Sequence, residues 1–419
     1  MQTRSQNSSC SRDSLFHRLP SEVVDIILGK LSVLELSVFG MTSKETTSYV
    51  VNYISTQKWT NKEITKEFHH PTYQEQQATI GHYKALGLLF KRCTLLLPTK
   101  DRLKFIFSRF SEIPCFMLEH CFVQDCLGFA CLGGFLQTLI AGWDELECRR
   151  VFNFLCDLTN ILPKTDTVIH SKPGAHCFPE VEIRLFCRKV LLDPWSNRLE
   201  CQFWLIELLK LWPMVSQAHL LLILYGPLLP EEGTVGWQEM VDRVLPNDEL
   251  WDLARALLLL FNKLEVKGWS PDSILGILEE LTVIPQPWHV ENVARLLVLC
   301  GSHLCYTFLA SKALNGRLQE ISRLIVYIIL VCEKDGYHMN WAVKLVQQVC
   351  QVFNSDPAKL VFLQNLENTF AETTRDLFEV SVGGHFLDGD TFQTLCILLD
   401  SSARFHSKFL YTFLKRPEV

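Results

Sequence analysis

What most restricts the fold of this 419-residue chain is its punctuation: helix starts and stops follow one another from Ile80 onward, with almost no strand signal between them. Apolar residues recur at helical spacing in segments such as ENVARLLVLC and RLQEISRLIVYIILVCEK. Proline stops come at Pro98, at Asp193-Pro194 and at Trp212-Pro213, because the residue before proline is pushed out of the α region. Tyr225-Gly226-Pro227 ends another helix. Asp144 and Glu147 have the spacing of a capping box, opening a helix that should end before Pro163. Ser270-Pro271 and Asp356-Pro357 each put a capping side chain before a proline at the first helical position. Gly301, Asn315-Gly316 and Asp335-Gly336 read as left-handed helix ends. Loops are expected at 163–179 and 227–247, where Pro, Gly and acidic residues cluster. There is no sustained alternation and no Asn-Gly hairpin between β-branched runs. The class is therefore all-α. No fixed repeat period emerges, and the tetratricopeptide, ankyrin, WD-blade and leucine-rich signatures are missing. An irregular, α-solenoid-like stack of antiparallel helices is expected, with a single helical globule as the rival.

Ahead of this region, Leu19 to Lys44 (LPSEVVDIILGKLSVLELSVFGMTSK) reads as three short helices. Val23, Val24, Ile27, Leu28 and Leu31 are apolar, while Glu22, Asp25 and Gly29 line the opposite side. Ser32 with Glu35 is a capping box that starts the second helix, and Thr42 with Glu45 repeats the spacing for a third. A unit of about forty residues buries little surface alone, so it is expected to complete its core against another protein. The order Leu-Pro-x-Glu, then Ile27, Leu31, Glu35-Leu36, Phe39 and Met41-Thr42-Ser43-Lys44 resembles an F-box. One departure is that Glu45-Thr46-Thr47 stands where F-boxes usually carry a bulky residue, often Trp.

The resemblance implies docking on a Skp-type adaptor and, through it, on cullin and RING subunits. Leu19, Pro20, Val23, Ile27, Leu31 and Leu36 are expected to form the adaptor-binding surface. Four segments follow: 1–14, Ser-, Gln- and Asn-rich and expected to be disordered; 15–55, the F-box; 56–79, a polar linker; and 80–419, a helical domain that recognises a protein substrate.

Composition excludes several functions. The net charge of −6 gives no basic footprint for nucleic acid. Hydrophobic residues make up 48% and charged residues 21%, which suits a large core. Sixteen cysteines would suggest disulfides in an exported chain, but the first residues, MQTRSQNSSCSRDS, have no apolar signal segment. Reduced thiols used as small apolar residues, and an intracellular location, nuclear or cytoplasmic, are expected. No membrane span is expected either: CLGFACLGGFLQTLIAGW has the length but reads as a buried helix, and the apolar run after Arg323 is too short.

Candidate chemistry is sparse. Cys115, His120, Cys121, Cys126 and Cys131 crowd together without a Cys-x-x-Cys knuckle, so no metal is expected and the thiols read as core. His69 and His70 lie in a polar stretch without visible partners and are expected to face solvent. There is no Gly-x-Ser-x-Gly elbow, protease-type cysteine or phosphate loop. No catalytic residue and no cofactor are therefore expected. Lys91, Arg92, Arg149 and Arg150 are the basic candidates for binding substrate, with Lys100, Arg102, Lys104, Arg184, Arg188 and Lys189 nearby in sequence. Solvated helix faces are the more frequent explanation of such residues. Tryptophans at 143, 195, 204, 212, 237, 251, 269, 288 and 341 read as packing at helix junctions. The expected function is that of a non-catalytic ubiquitin-ligase receptor, the alternative being a helical scaffold that binds partners without promoting their ubiquitination.

Overall fold

The computed structural model describes residues 19–64, 67–110, 112–121, 123, 126–195, 198–261, 270–383 and 389–414. The expectation for residues 1–14, and Trp269, lie outside them. The chain divides into two compact units: Met1–Pro163 with Leu185–Glu207, and Lys164–Arg184 with Leu208–Val419. Among the described residues the regular structure is helical apart from one isolated antiparallel bridge, Leu228 with Val235, inside the expected 227–247 loop. No helix among them is long and apolar enough to cross a membrane.

The first unit opens with α1 (Ser21–Leu28), α2 (Val33–Phe39) and α3 (Lys44–Ile54). Ser32 caps α2 as expected, its hydroxyl accepting from the Glu35 amide while the Glu35 carboxylate accepts from the Ser32 amide at 2.8 Å. The third helix starts one residue later than the Thr42 spacing suggests. Ser43 is its cap, and the Thr46 hydroxyl reciprocates at 2.9 Å.

The stretch 56–79 differs from a detached linker. The short turn α4 (Gln57–Trp59) runs into a π-turn at Thr60–Ile64, and Trp59, Ile64 and Phe68 are all buried. These three apolar residues, four or five apart, are hidden in the sequence by polar neighbours. Thr72 and Glu75 then form a further capping box that starts α5 (Tyr73–Cys93).

After α5 come α6 (Thr99–Phe110), a 3₁₀ turn at Pro114–Phe116, α7 (Gly128–Ile140) and α8 (Glu145–Thr159). Helix α7 carries the apolar stretch considered above as a span, and it packs on α5. A Cβ on Gly87 of α5 would lie 2.5 Å from the carbonyl oxygen of Phe135, so a glycine is required where the two backbones meet. Around that crossing Tyr83, Phe90, Phe110, Phe116 and Phe135 form one aromatic core, with Phe110 and Phe135 edge-to-face at 4.7 Å.

Three helices run across the division points: α9 (Ile161–Ile169), α10 (Cys177–Phe186, continued by a π-turn at Cys187–Leu192) and α11 (Arg198–Leu209). Pro163 does not end α8. Asn160 takes a left-handed conformation (φ 54°) that ends it first, and Pro163 falls in the first turn of α9, where its missing N–H is harmless.

The second unit contains α12 (Met214–Tyr225), α13 (Glu239–Asp242), α14 (Asn247–Phe261), α15 (Pro271–Leu281), α16 (Val290–Leu299), α17 (Gly301–Leu314), α18 (Leu318–Lys334), α19 (Met339–Val352), α20 (Asp356–Gly383) and α21 (Gly389–Leu414). Packing skips alternate helices, with α14 on α16, α16 on α18, α18 on α20, and α17 on α19. This is the layered order of a solenoid. Ser270 caps α15 ahead of Pro271, as its sequence indicates, whereas α20 is capped by Ser355 and not Asp356. Gly316 (φ 72°) and Gly336 (φ 73°) follow the ends of α17 and α18. A buried ion network lies within the stack: Arg295 reaches Glu291 (3.2 Å), Asp335 (3.1 Å) and the Leu245 carbonyl (2.8 Å), and Lys334 reaches Glu291 (3.0 Å).

Candidate functional site

The apolar residues of α1 are too numerous for one helix face to bury. Val24 and Leu28, one turn apart, turn inward and are buried with Val50 and Ile54 of α3. The adjoining row stays open: Val23 and Ile27 are each 38% exposed and Ile26 is 64% exposed. Pro20 is exposed ahead of them, and Leu19 and Leu31 are half-buried. On and after α2, Leu34, Val38 and Met41 are likewise exposed. Leu36 differs from expectation. It is only 1% exposed, because it shares the inner side of α2 with Val33, so it supports the fold and is not part of the open row. Ile26, Leu34, Val38 and Met41 do not stand out in the sequence, because a pattern of apolar spacing cannot tell which half of a wide stripe is already covered. The open half is therefore Pro20, Val23, Ile26, Ile27, Leu34, Val38 and Met41.

The basic candidates already have partners inside the first unit. Lys91 donates to the carbonyl of Ala141, just past the end of α7. Arg92 donates to the Ser37 hydroxyl at 2.8 Å, tying α5 to α2. Arg149 makes a two-pronged contact with Glu207 at 2.9 and 3.1 Å, and Arg150 pairs with Glu147. Arg102 is buried, donating to Thr94 (2.8 Å) and the Lys91 carbonyl (2.7 Å) with its guanidinium over the Trp143 ring. The fold itself thus accounts for these cations.

Most described thiols are buried and free, in keeping with core use. Burial pushes the Cys93, Cys131 and Cys156 thiols up to about 12. One group stands apart. His69, Cys115, Cys121 and Cys126 bring their ring nitrogen and sulfur atoms within 4.8 Å of one another. His69 is therefore half-buried against thiols, in contrast to the solvent-facing position expected for it, whereas His70 is exposed. Its Nε2 lies 3.4 Å from the sulfurs of both Cys115 and Cys121. The crowd seen in the sequence thus changes membership. His120 is exposed and bonds the Leu118 carbonyl through Nδ1 at 2.6 Å. Cys131 lies on α7 in the core. Residues fifty apart in sequence had no spacing signal to link them.

Comparison with known proteins places these features. The family model described as FBXO47, ARM repeats matches residues 159–416. The mouse protein named F-box only protein 47 is 47% identical over 401 residues, covering 94% of this chain and 89% of that protein. The human protein of the same name is 45% identical over 407 residues, covering 96% and 90%. No solved structure matches. The armadillo-type description agrees with the alternating packing of the second unit, whose helices vary from 4 to 28 residues and so leave no fixed period to read. With an N-terminal F-box pattern and this helical stack, the chain belongs to the F-box only protein 47 family.

Proposed function

We propose that this chain is the substrate-recognition subunit of a Skp adaptor–cullin–F-box ubiquitin ligase, and that it is not itself catalytic. The observation that carries the reading is the open apolar row on α1 and α2. Pro20, Val23, Ile26, Ile27, Leu34, Val38 and Met41 are exposed although their neighbours Val24, Leu28, Val33 and Leu36 are fully packed. Folding leaves this row unburied, which suits a face made for another protein. The helical region from residue 80 onward then holds a protein substrate, and its contribution to ubiquitin transfer is proximity, since the charged enzyme comes with the complex. The relatives carry the F-box name, which supports the adaptor as partner.

The test is capture of the Skp-type adaptor and cullin by the full chain. Wild type should capture both, Ile27→Asp and Leu34→Asp should lose both, and Leu360→Asp, exposed in the second unit, should keep both. Failure of the wild type to capture the adaptor overturns the reading. Partners identified by proximity labelling should persist longer with Ile27→Asp. If adaptor capture is lost and their turnover is unchanged, the chain is a scaffold.

A further inference from the structure

We propose that His69, Cys115, Cys121 and Cys126 form a structural zinc site. This inference is independent of adaptor docking, since it rests on a different part of the first unit.

The four ligand atoms lie close enough together for one ion to draw them into a tetrahedron. Zinc holds sulfur at about 2.3 Å and nitrogen at about 2.0–2.1 Å, so ligand atoms at tetrahedral corners stand roughly 3.5–3.8 Å apart. The two His69 nitrogen–sulfur separations are 3.4 Å, and all four ligand atoms fall within 4.8 Å. Three thiols and one imidazole make a soft donor set that suits zinc and leaves no open position for substrate. Three sulfurs and a ring nitrogen thus share one space between distant parts of the first unit.

The surroundings are built to keep the four together. The amide of Leu127, next to Cys126, donates to the carbonyl of Phe68, next to His69, at 3.0 Å. One backbone bond thus joins the two distant arms of the site. The amide of Gly128, first residue of α7, points at the Cys126 sulfur at 3.4 Å, an N–H···S contact that favours a thiolate. A Cβ at Gly128 would lie 2.2 Å from the Cys115 carbonyl oxygen, so glycine is what allows Cys115 to approach the start of α7. The chain turns at each side of the site through left-handed residues other than glycine, His70 (φ 50°) and Glu119 (φ 64°).

The function follows from what surrounds the cluster. The described residues of 117–127 form no helix, yet they connect the aromatic core at Phe116 to α7. An ion would cross-link this segment to the end of the stretch 56–72. On binding, each cysteine gives its S–H proton to solvent and forms a zinc–sulfur bond, and His69 donates the Nε2 lone pair. Three protons leave, and the site carries one net negative charge.

The experiment uses the full chain, tag removed, purified without chelator. Elemental analysis should find about one zinc per chain, and exchange with cobalt should give the intense visible absorption of a tetrahedral thiolate complex. Cys121→Ser with Cys126→Ser should lose the metal. His69→Cys should keep it and shift the cobalt spectrum, which a merely structural histidine would not do. A mercurial that titrates thiols should release zinc from the wild type in step with modification, a readout that needs no variant to fold. Metal removal should lower Tm by about 5 °C or more, restored by zinc. A wild-type chain that holds no stoichiometric zinc and takes up no cobalt overturns the proposal. So does metal retained in the double serine variant, which would be adventitious, or a disulfide among the three cysteines in the chain purified without oxidant.

Discussion

At the residue scale, neighbouring positions of α1 separate the fold from its use. Leu28 is fully buried and Ile27 is not, though both are apolar and adjacent. Leu28→Ala should destabilise the first unit by about 2–5 kcal/mol, since it opens a cavity. Ile27→Ala should change stability by less than about 1 kcal/mol while weakening adaptor capture. Chemical denaturation and pull-down on the same pair of variants check both outcomes. Equal destabilisation by the two would mean that α1 is rotated relative to the rest of the unit. The same logic applies to Arg295, whose guanidinium is 6% exposed between Glu291 and Asp335. Arg295→Ala should cost about 3–5 kcal/mol, because it removes the guanidinium from a buried network, leaving Asp335 without that partner and Glu291 with Lys334 alone, as a shift in the denaturation midpoint would report.

Elements give predictions of a different kind, because a helix end or a buried ring acts on a whole segment. The Ser32 amide and hydroxyl hold the Glu35 carboxyl below its ordinary value. Ser32→Ala should let it rise toward that value, as carbon-detected NMR titration can follow, and should weaken α2 by about 1 kcal/mol through the lost cap. In the second unit, burial lowers the pKa of His219 and His289. The Nδ1 of His219 donates to the Ile169 carbonyl at 3.1 Å, which opposes the effect of burial without overcoming it, and the Nδ1 of His289 accepts from the Glu291 amide at 3.3 Å, which needs that nitrogen unprotonated. Since their folded values lie below the unfolded value near 6.5, the unfolded chain takes up protons first as pH falls. Their stabilising contribution is complete above about pH 6.5 and is lost as pH drops through the depressed values. Tm measured from pH 8 downward should begin to fall near there, and His289→Asn, which keeps an acceptor at the cap, should reduce the slope. A slope unchanged in that variant would assign the proton uptake elsewhere. At this scale the sequence was most readable where a side chain acts on its own neighbours: the caps at Ser32, Asp144 and Ser270, the proline stops, and the glycines after α17 and α18. It was least readable where distant segments meet, as at Arg92 with Ser37 or His69 with Cys121.

For the molecule as a whole, the difference that matters most concerns residues 56–79. A polar linker would leave the F-box free of the region that follows, and removing the F-box would then leave that region intact. The structure argues otherwise, because the first unit is shared. Trp59 is buried edge-on against Phe90 of α5. Gly40 packs near Cys93, so that a Cβ there would lie 3.5 Å from the Cys93 sulfur. Arg92 and Arg109 of α5 and α6 donate to Ser37 and to the Ser55 carbonyl. Low average hydropathy across 56–79 concealed this, since a few large side chains decide burial and the many polar ones around them decide the average. A chain beginning at residue 56 should therefore expose the face of α5 that α2 and α3 now cover, and its first unit should lose protection. Hydrogen exchange would read this unit by unit: amides of α5 and α7 should exchange faster in the truncated chain, while those of α16 and α18 stay protected. Ile27→Asp should leave both sets unchanged, since its side chain is on the open row. Co-expressed adaptor should then raise the soluble yield of the wild type by stabilising the folded state, about 2.7 kcal/mol at a hundredfold excess over its dissociation constant, and should do nothing for Ile27→Asp. If the truncated chain kept α5 as protected as in the whole protein, the helices before residue 56 would contribute nothing to the core beneath them, and the first unit would have to be redrawn without them.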